Sequence, residues 1–384
     1  MNADVFDNWL LKRDCSGLVC NEPLMPMEGA GHVLFPPTYA AGQTDGFPGG
    51  YTINRFEKEG KPSVCLIDSV GSQANRLEPV FLEPPYCELV PAVTVKAGEV
   101  IKSILEMPHR AGDACVRCSV LHQELHDAFL QTLLGNFTPM AKLAPTSLAL
   151  GAWDARDTQA KLPRLVGSTI RAYDIRELTR RAQYTTSMSY IDLGLLEKPD
   201  DDDKPTKEAY ADRGFSQVPA PGYPGGILAD GGVERSTTLS LSALRRIHAK
   251  GGAMETLKLR RYLLGLSMVV FTLPQDGYLR QGCSLVRDVS KPYEYVEAYG
   301  DGRRPELKLT HEEALAYAKM AAKAFGVGPD RHVDFSKTMA EEDIAKAKAK
   351  KNGKKGKKDK ADADGNGAEE GGETTKKSKK GKAK

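Results

Sequence analysis

One early stretch of the chain changes its hydrophobic period within a few residues. Ser63-Val64-Cys65-Leu66-Ile67 is a short apolar run with the length and β-branching of a buried strand. Asp68 or Ser69 can then cap a helix, because either side chain accepts from the unpaired N–H groups of a first turn. In that helix Val70, Ala74 and Leu77 share one face at i, i+4 and i+7. Ser69, Ser72, Gln73 and Arg76 share another, and Pro79 stops or kinks the helix. The second face offers hydroxyls, an amide and one guanidinium. Such groups suit a ribose-phosphate backbone, since hydroxyls and amides bond sugar and phosphate oxygens and Arg forks onto phosphate.

The same reading predicts other elements. Val33 to Tyr39 is extended and broken by prolines, Gly42 to Gly50 is a loop, and Tyr51 to Phe56 alternates like a strand. Leu89 to Val95 is β-rich. His109 to Ala114 leads into a helix through Leu121, Leu125 and Phe129, and Trp153 to Arg156 sits in a loop. Lys161 to Ile175 is basic and β-prone. An acidic insert at about 197–207 reads as an exposed loop, and the Gly/Pro-crowded stretch 214–233 as a mobile hairpin or long loop. Ser240 to His248 suggests a helix closed by Gly251-Gly252, and Leu266 to Leu273 a strongly apolar strand. Tyr293 to Tyr299 turns at Gly300-Asp301-Gly302 into Glu306 to Leu309. Thr310 with Glu313 forms a capping box for a last helix that Gly326 closes.

Composition places the 384 residues among globular proteins, with 40% hydrophobic and 27% charged. No apolar run is long enough to span a bilayer, so no membrane association is expected. The first residues lack a basic region followed by an apolar one, so no secretory signal is expected. Seven cysteines without disulfide-framework spacing point to a reducing cytoplasm. The net charge of +3 is unevenly held. Residues 341–384 carry 15 Lys against 9 acidic residues, whereas the rest has 39 basic against 42 acidic. The expected organisation is therefore a body at 1–340 and a disordered Lys-rich tail at 341–384, too poor in apolar residues to offset the entropy of ordering. Any nucleic-acid site in the body must gather its positive charge locally.

Two constellations carry chemistry. Cys115, Cys118, His122 and His126 offer two thiols and two imidazoles, the donors of a tetrahedral zinc site and of a metal-dependent nuclease or hydrolase. On one helix, however, the four would spread over roughly 16 Å, too far for one ion. Phosphate-loop, dinucleotide and nucleophile-elbow signatures are absent, and no cofactor is expected. The second constellation is Arg156, Lys161, Arg164, Arg171, Arg176, Arg180 and Arg181, with Tyr173 and Tyr184 among them. Arginine outnumbers lysine here, as suits planar phosphate recognition.

Ile67 to Glu78, His109-Arg110 with Asp113-Ala114, Gly151 to Arg156, and Lys161 to Arg164 running on to Ala172-Tyr173-Asp174-Ile175 together resemble a known family. It is the Cas-seven-type backbone subunit of the CRISPR surveillance complex Cascade, in its type I-G (formerly I-U) form. Phe35-Pro36-Pro37-Thr38 and Gly231 to Arg235 fit the same pattern, and the resemblance covers roughly residues 30 to 330. It implies an α+β repeat-associated mysterious protein (RAMP) fold. A ferredoxin-like palm of the RNA-recognition type would carry large insertions as fingers and a thumb-like hairpin. It implies a non-catalytic subunit whose copies assemble head to tail along CRISPR guide RNA. Each would grip the sugar-phosphate backbone and leave the bases to pair with a strand of invading DNA. Implied partners are the guide, that target strand, further copies, the large subunit, the guide-end-capping and processing subunit, and a recruited helicase-nuclease.

On this resemblance Ser69, Ser72, Gln73 and Arg76 contact the guide backbone, with Asn75 supporting the helix edge. Arg164 and Arg171 are further contacts, and Arg235 belongs to the thumb. His109 and Arg110 match the family pattern and complete the set of candidates.

Overall fold

The computed structural model describes residues 4–44, 46–56 and 62–349. Its strands are β1 (Cys15–Pro26), β2 (Val64–Asp68), β3 (Val93–Ala97), β4 (Val100–Ser103), β5 (Val166–Tyr184), β6 (Val218–Ser240), β7 (Cys283–Arg287), β8 (Glu294–Tyr299) and β9 (Arg331–Asp334), with shorter bridges between them. The principal helices are α1 (Asp4–Leu11), α2 (Val70–Leu77), α3 (His122–Leu133), α4 (Pro145–Leu150), α5 (Ala253–Thr272) and α6 (His311–Phe325).

The main sheet is antiparallel throughout. β1 lies at its centre, pairing with β6 on one side and with β7 and β8 on the other. β5 pairs with β6, and β2 pairs with β5. The order is therefore β8–β1–β6–β5–β2. Helical connections separate β1 from β5 and β6 from β8. A second sheet sets β9 parallel to β3 and β4 antiparallel to it. The expected α+β class is thus the observed one.

Apolar residues cover both faces of the main sheet. One face meets α5, whose Leu259, Tyr262, Leu263, Leu266 and Val269 are fully buried. The other face, with Ile67, Ile170 and Ile227, is covered by Leu34 and by Leu279 to Leu285. Leu266 to Leu273, expected as a strand, is the end of α5. A run that is apolar on every side carries no period, and burial all round is what selects the helix. Gly265 lets α5 approach α6: a Cβ there would sit 2.7 Å from the Cα of Ala318.

The Gly/Pro-rich stretch also differs from expectation. Residues 218–240 form one long strand, and β5 and β6 make a ribbon whose outer half pairs 176–184 with 218–228; residues 176–184 are mostly exposed. Register shifts at Tyr173/Ile175, Glu177/Thr179 and Arg180/Ala182 mark bulges. Gly225 is required there, since its Cβ would lie 2.6 Å from the Thr179 carbonyl carbon. The acidic insert is only partly a loop. Asp203 caps a helix, Lys204–Asp212, by accepting from the Thr206 N–H at 3.1 Å.

Local signals held elsewhere. The capping box of Thr310 and Glu313 opens α6 and Gly326 closes it. Ser240 to His248 yields only one helical turn, Leu241–Leu244, and Gly252 caps the start of α5 instead of closing a helix. The helix expected through Leu121 is two, Ala114–Arg117 and α3. Residues 337–349 are helical, and residues 350–384 of the expected tail lie outside the described residues.

Candidate nucleic-acid interface

The site begins at the junction of β2 and α2. Ser69 is the cap, its Oγ accepting from the Ser72 N–H at 3.2 Å. Asp68, the last residue of β2, is 1% exposed and draws three side chains to itself. Gln73 Nε2 donates to it at 2.7 Å, Arg76 Nε at 3.0 Å and Arg280 Nη2 at 3.1 Å. The Gln73 Oε1 accepts from Ser168 Oγ at 3.0 Å, and Ser168 Oγ accepts from Thr237 Oγ1 at 2.9 Å. Gln73 is thus buried, a link between α2 and the sheet, and it is not available to RNA. Arg76 keeps partial exposure but is committed to Asp68. The polar ridge expected from the sequence is divided, because the Asp68 carboxylate one residue before the cap draws Gln73 and Arg76 to itself.

What α2 contributes to the groove is Gly71 and Asn75, and three further segments meet them. Arg110 lies 4% exposed at the floor, with its backbone at φ 51°. Its Nη2 donates to Asn75 Oδ1 at 3.0 Å, its Nη1 to the Gly151 carbonyl at 3.1 Å, and its Nε stands 2.5 Å from Glu78 Oε2. Arg110 therefore clamps α2 to the loop after α4. Burial pushes the Glu78 carboxyl up to about 7, against the opposing pull of the Arg110 charge.

That loop, residues 151–164, is closed by its own backbone bonds. Asp154 N–H donates to Ala160 O and Leu162 N–H to Ala152 O. Burial would raise the Asp154 carboxyl, but bonds from the Thr158 N–H and hydroxyl and from the backbone N–H of Asp157 bring it below its ordinary value. The closed loop holds Trp153 57% exposed, with Arg156 and Lys161 exposed beside it. Gly151, at φ +83°, lets Arg164 pass: a Cβ would meet its Nε at 3.1 Å. Arg164 Nε donates to the Leu150 carbonyl at 2.9 Å. Burial and the neighbouring Arg110 charge both weigh against its cationic form.

Between these segments runs an open groove of about 1060 Å³. Its lining includes Asn75, His109, Trp153, Arg156, Lys161 and Arg164, with Arg110 below, and contains no Asp or Glu. The side chains of His109, Arg156 and Lys161 make no hydrogen bond or ion pair among the described residues. Crowded cations without counter-charge favour an anion, and an exposed indole beside them offers a base a stacking surface.

Of the sequence candidates the groove gathers Asn75, His109, Arg110 and Arg164. Ser69 Oγ serves the cap by accepting from the Ser72 backbone N–H, and neither serine lines the groove. Arg171 is exposed on β5 and donates to Thr169 Oγ1 at 2.9 Å, outside the groove. Arg235 is not on the exposed half of the ribbon: it faces Ile170 and Glu22 in the sheet and is ion-paired with Glu22. Arg156 and Lys161 belong to the basic constellation of the sequence but not to the assigned contacts, and Trp153 is assigned no contact there; an aromatic set in a basic loop flanked by Gly151 and Pro163 is the signal for all three.

The cysteine-histidine cluster does not assemble. His122 Nδ1 lies 3.0 Å from the Arg117 carbonyl and His126 Nδ1 2.5 Å from Asp157 Oδ2. Among the described residues no group of three or more His, Cys, Asp or Glu could hold a metal. Nor is any described helix long and apolar enough to cross a membrane.

Residues 18–177 match the model of a family described as CRISPR-associated protein GSU0053. Over that stretch the chain is similar to a CRISPR-associated family of Cas-seven type. No curated protein matches it. Every residue lining the groove falls inside the matched stretch, which runs from β1 into β5.

Proposed function

We propose that the chain is a non-catalytic backbone subunit of a type I-G Cascade, and that the groove seats the sugar-phosphate backbone of the guide RNA. The observation that carries this reading is convergence. Four separated segments with the family's pattern meet in one carboxylate-free cationic groove with an exposed tryptophan. A cationic track with an aromatic platform is the general solution for binding a single strand without reading its sequence.

The sheet order supports a ferredoxin-like palm, since β8–β1–β6–β5 with helical connections after β1 and after β6 is the split β-α-β arrangement of that fold. The outer half of the β5–β6 ribbon, carrying Arg176, Arg180 and Arg181, is the thumb-like element in this proposal. Copies stack head to tail along the guide, in company with a large subunit and a guide-end-capping and processing subunit. The base edges are left to pair with target DNA ahead of a recruited helicase-nuclease in the cytoplasm. Expression of the chain with a repeat-spacer array tests this: repeat-derived RNA of uniform length should copurify. Recovery of the folded chain with no RNA, or with RNA lacking repeat-derived ends, contradicts it.

A further inference from the structure

The groove does not end at Lys161. Lys161 and Pro163 also line an adjoining cavity of about 430 Å³, together with Ser242 and Arg246. Ser242 and Arg246 in turn line a third, of about 640 Å³, with Arg13, Arg245, His248 and Arg260. Three open cavities thus share walls in series, and none of the three is lined by Asp or Glu.

The arginines of the third cavity are held in two ways. Arg245 donates through Nη1 to the carbonyl of Trp9 at 2.8 Å and through Nη2 to that of Cys15 at 2.8 Å. Arg260 donates through Nε to the Ile247 carbonyl at 2.8 Å. These bonds fasten two guanidiniums to the carbonyl-rich end of α1 and to the turn after Leu241–Leu244, where helix dipoles welcome cations. Arg13 and Arg246 are exposed, and their side chains make no hydrogen bond or ion pair among the described residues. Burial, then the charges of Arg245 and Arg13, weigh against the cationic form of Arg260. Asp14 favours the charge on Arg245 but lines none of the three cavities. Cationic charge gathered at one place, two guanidiniums fastened and two exposed, favours an anion.

We propose that the arginine cleft is a second phosphodiester site, so that a single strand seated in the groove continues past Lys161 and Arg246 and is held again by Arg13, Arg245 and Arg260. The inference deepens the proposed function and rests on it. The cleft lies outside the stretch that matches the CRISPR-associated family, which ends at residue 177 and begins at 18. Arg245 and Arg260 hold the strand's path in place, whereas Arg13 and Arg246 adapt to its phosphates.

The test uses the full chain, fluorescein-labelled oligouridine and oligothymidine of about 8 and about 30 nucleotides, and a salt series. Arg13→Ala with Arg246→Ala should leave the 8-mer affinity and the melting temperature unchanged. It should weaken the 30-mer roughly tenfold at 0.1 M salt and lower the slope of log K against log salt by about 1.4, the value for two phosphates on a single strand. Arg13→Lys with Arg246→Lys should restore most of that slope. Equal losses for uridine and thymidine mark a site for the phosphodiester chain itself; a loss confined to uridine marks an RNA site. An unchanged 30-mer affinity and slope in the alanine variant overturns the proposal. If Arg156→Ala with Lys161→Ala leaves 8-mer binding intact, the groove reading fails instead. A 30-mer loss in the cleft variant would then still identify the cleft as a nucleic-acid site.

Discussion

Arg110 and Glu78 are an ion pair almost wholly withdrawn from water: Nε and Oε2 are 2.5 Å apart, with the side chains 4% and 1% exposed. The pair sits directly beneath the cationic groove and ties α2 to the loop after α4. Arg110 thus supports the site from below, with its remaining donors on Asn75 and Gly151.

Removing one partner of such a pair strands the other. Arg110→Met should destabilise the fold by about 3–5 kcal/mol, while Arg110→Met combined with Glu78→Gln should recover a large part of the loss. Urea unfolding midpoints of the three proteins check this. A single variant as stable as the parent would remove Arg110 from the role assigned here.

The raised Glu78 carboxyl also sets a pH dependence. Its folded value of about 7 lies above the ordinary value of 4.5, so the native state holds the proton that the unfolded chain releases. Its contribution to stability is present below pH 4.5 and is lost as pH rises through 7. Between pH 5 and 7.5 the parent should therefore lose stability that Glu78→Gln does not lose. Chemical denaturation at the two pH values gives the comparison.

Gln73 separates the ridge reading from the structure. Gln73→Leu deprives Asp68 of a donor and Ser168 of an acceptor inside the fold, and should cost about 1–3 kcal/mol. RNA affinity of the folded fraction should be unchanged. A weakened affinity without destabilisation would return Gln73 to the contact surface.

Trp153 presents the opposite case. Being 57% exposed, it can be removed at small cost to the fold. Trp153→Ala should weaken single-stranded RNA binding by about 1–3 kcal/mol, and Trp153→Phe should retain part of that, as measured by fluorescence anisotropy. Equal affinity for all three proteins would leave only the cations as the binding surface.

The sequence was legible where structure is decided by neighbours along the chain. The strand at Val64–Asp68, the Ser69 cap and the capping box of α6 all rest on contacts within a few residues. It misled where the deciding contact comes from afar. The inward turn of Gln73 depends on Ser168, and the pairing of Arg235 on Glu22. The long strand at 218–240 depends on 16 register partners in β5, which override a composition that otherwise reads as loop. The site was half legible for the same reason. Its segments were identified by pattern, but which side chains of each face one groove is a property of the folded chain.

The central claim is that the groove binds RNA through its backbone. The most direct measurement is the salt dependence of single-stranded RNA affinity for the parent and for Arg156→Ala with Lys161→Ala, two exposed cations of the groove. The account predicts weaker binding, a slope smaller by about 1.4, and an unchanged melting temperature. A folded double variant with the parent's affinity and slope would contradict it.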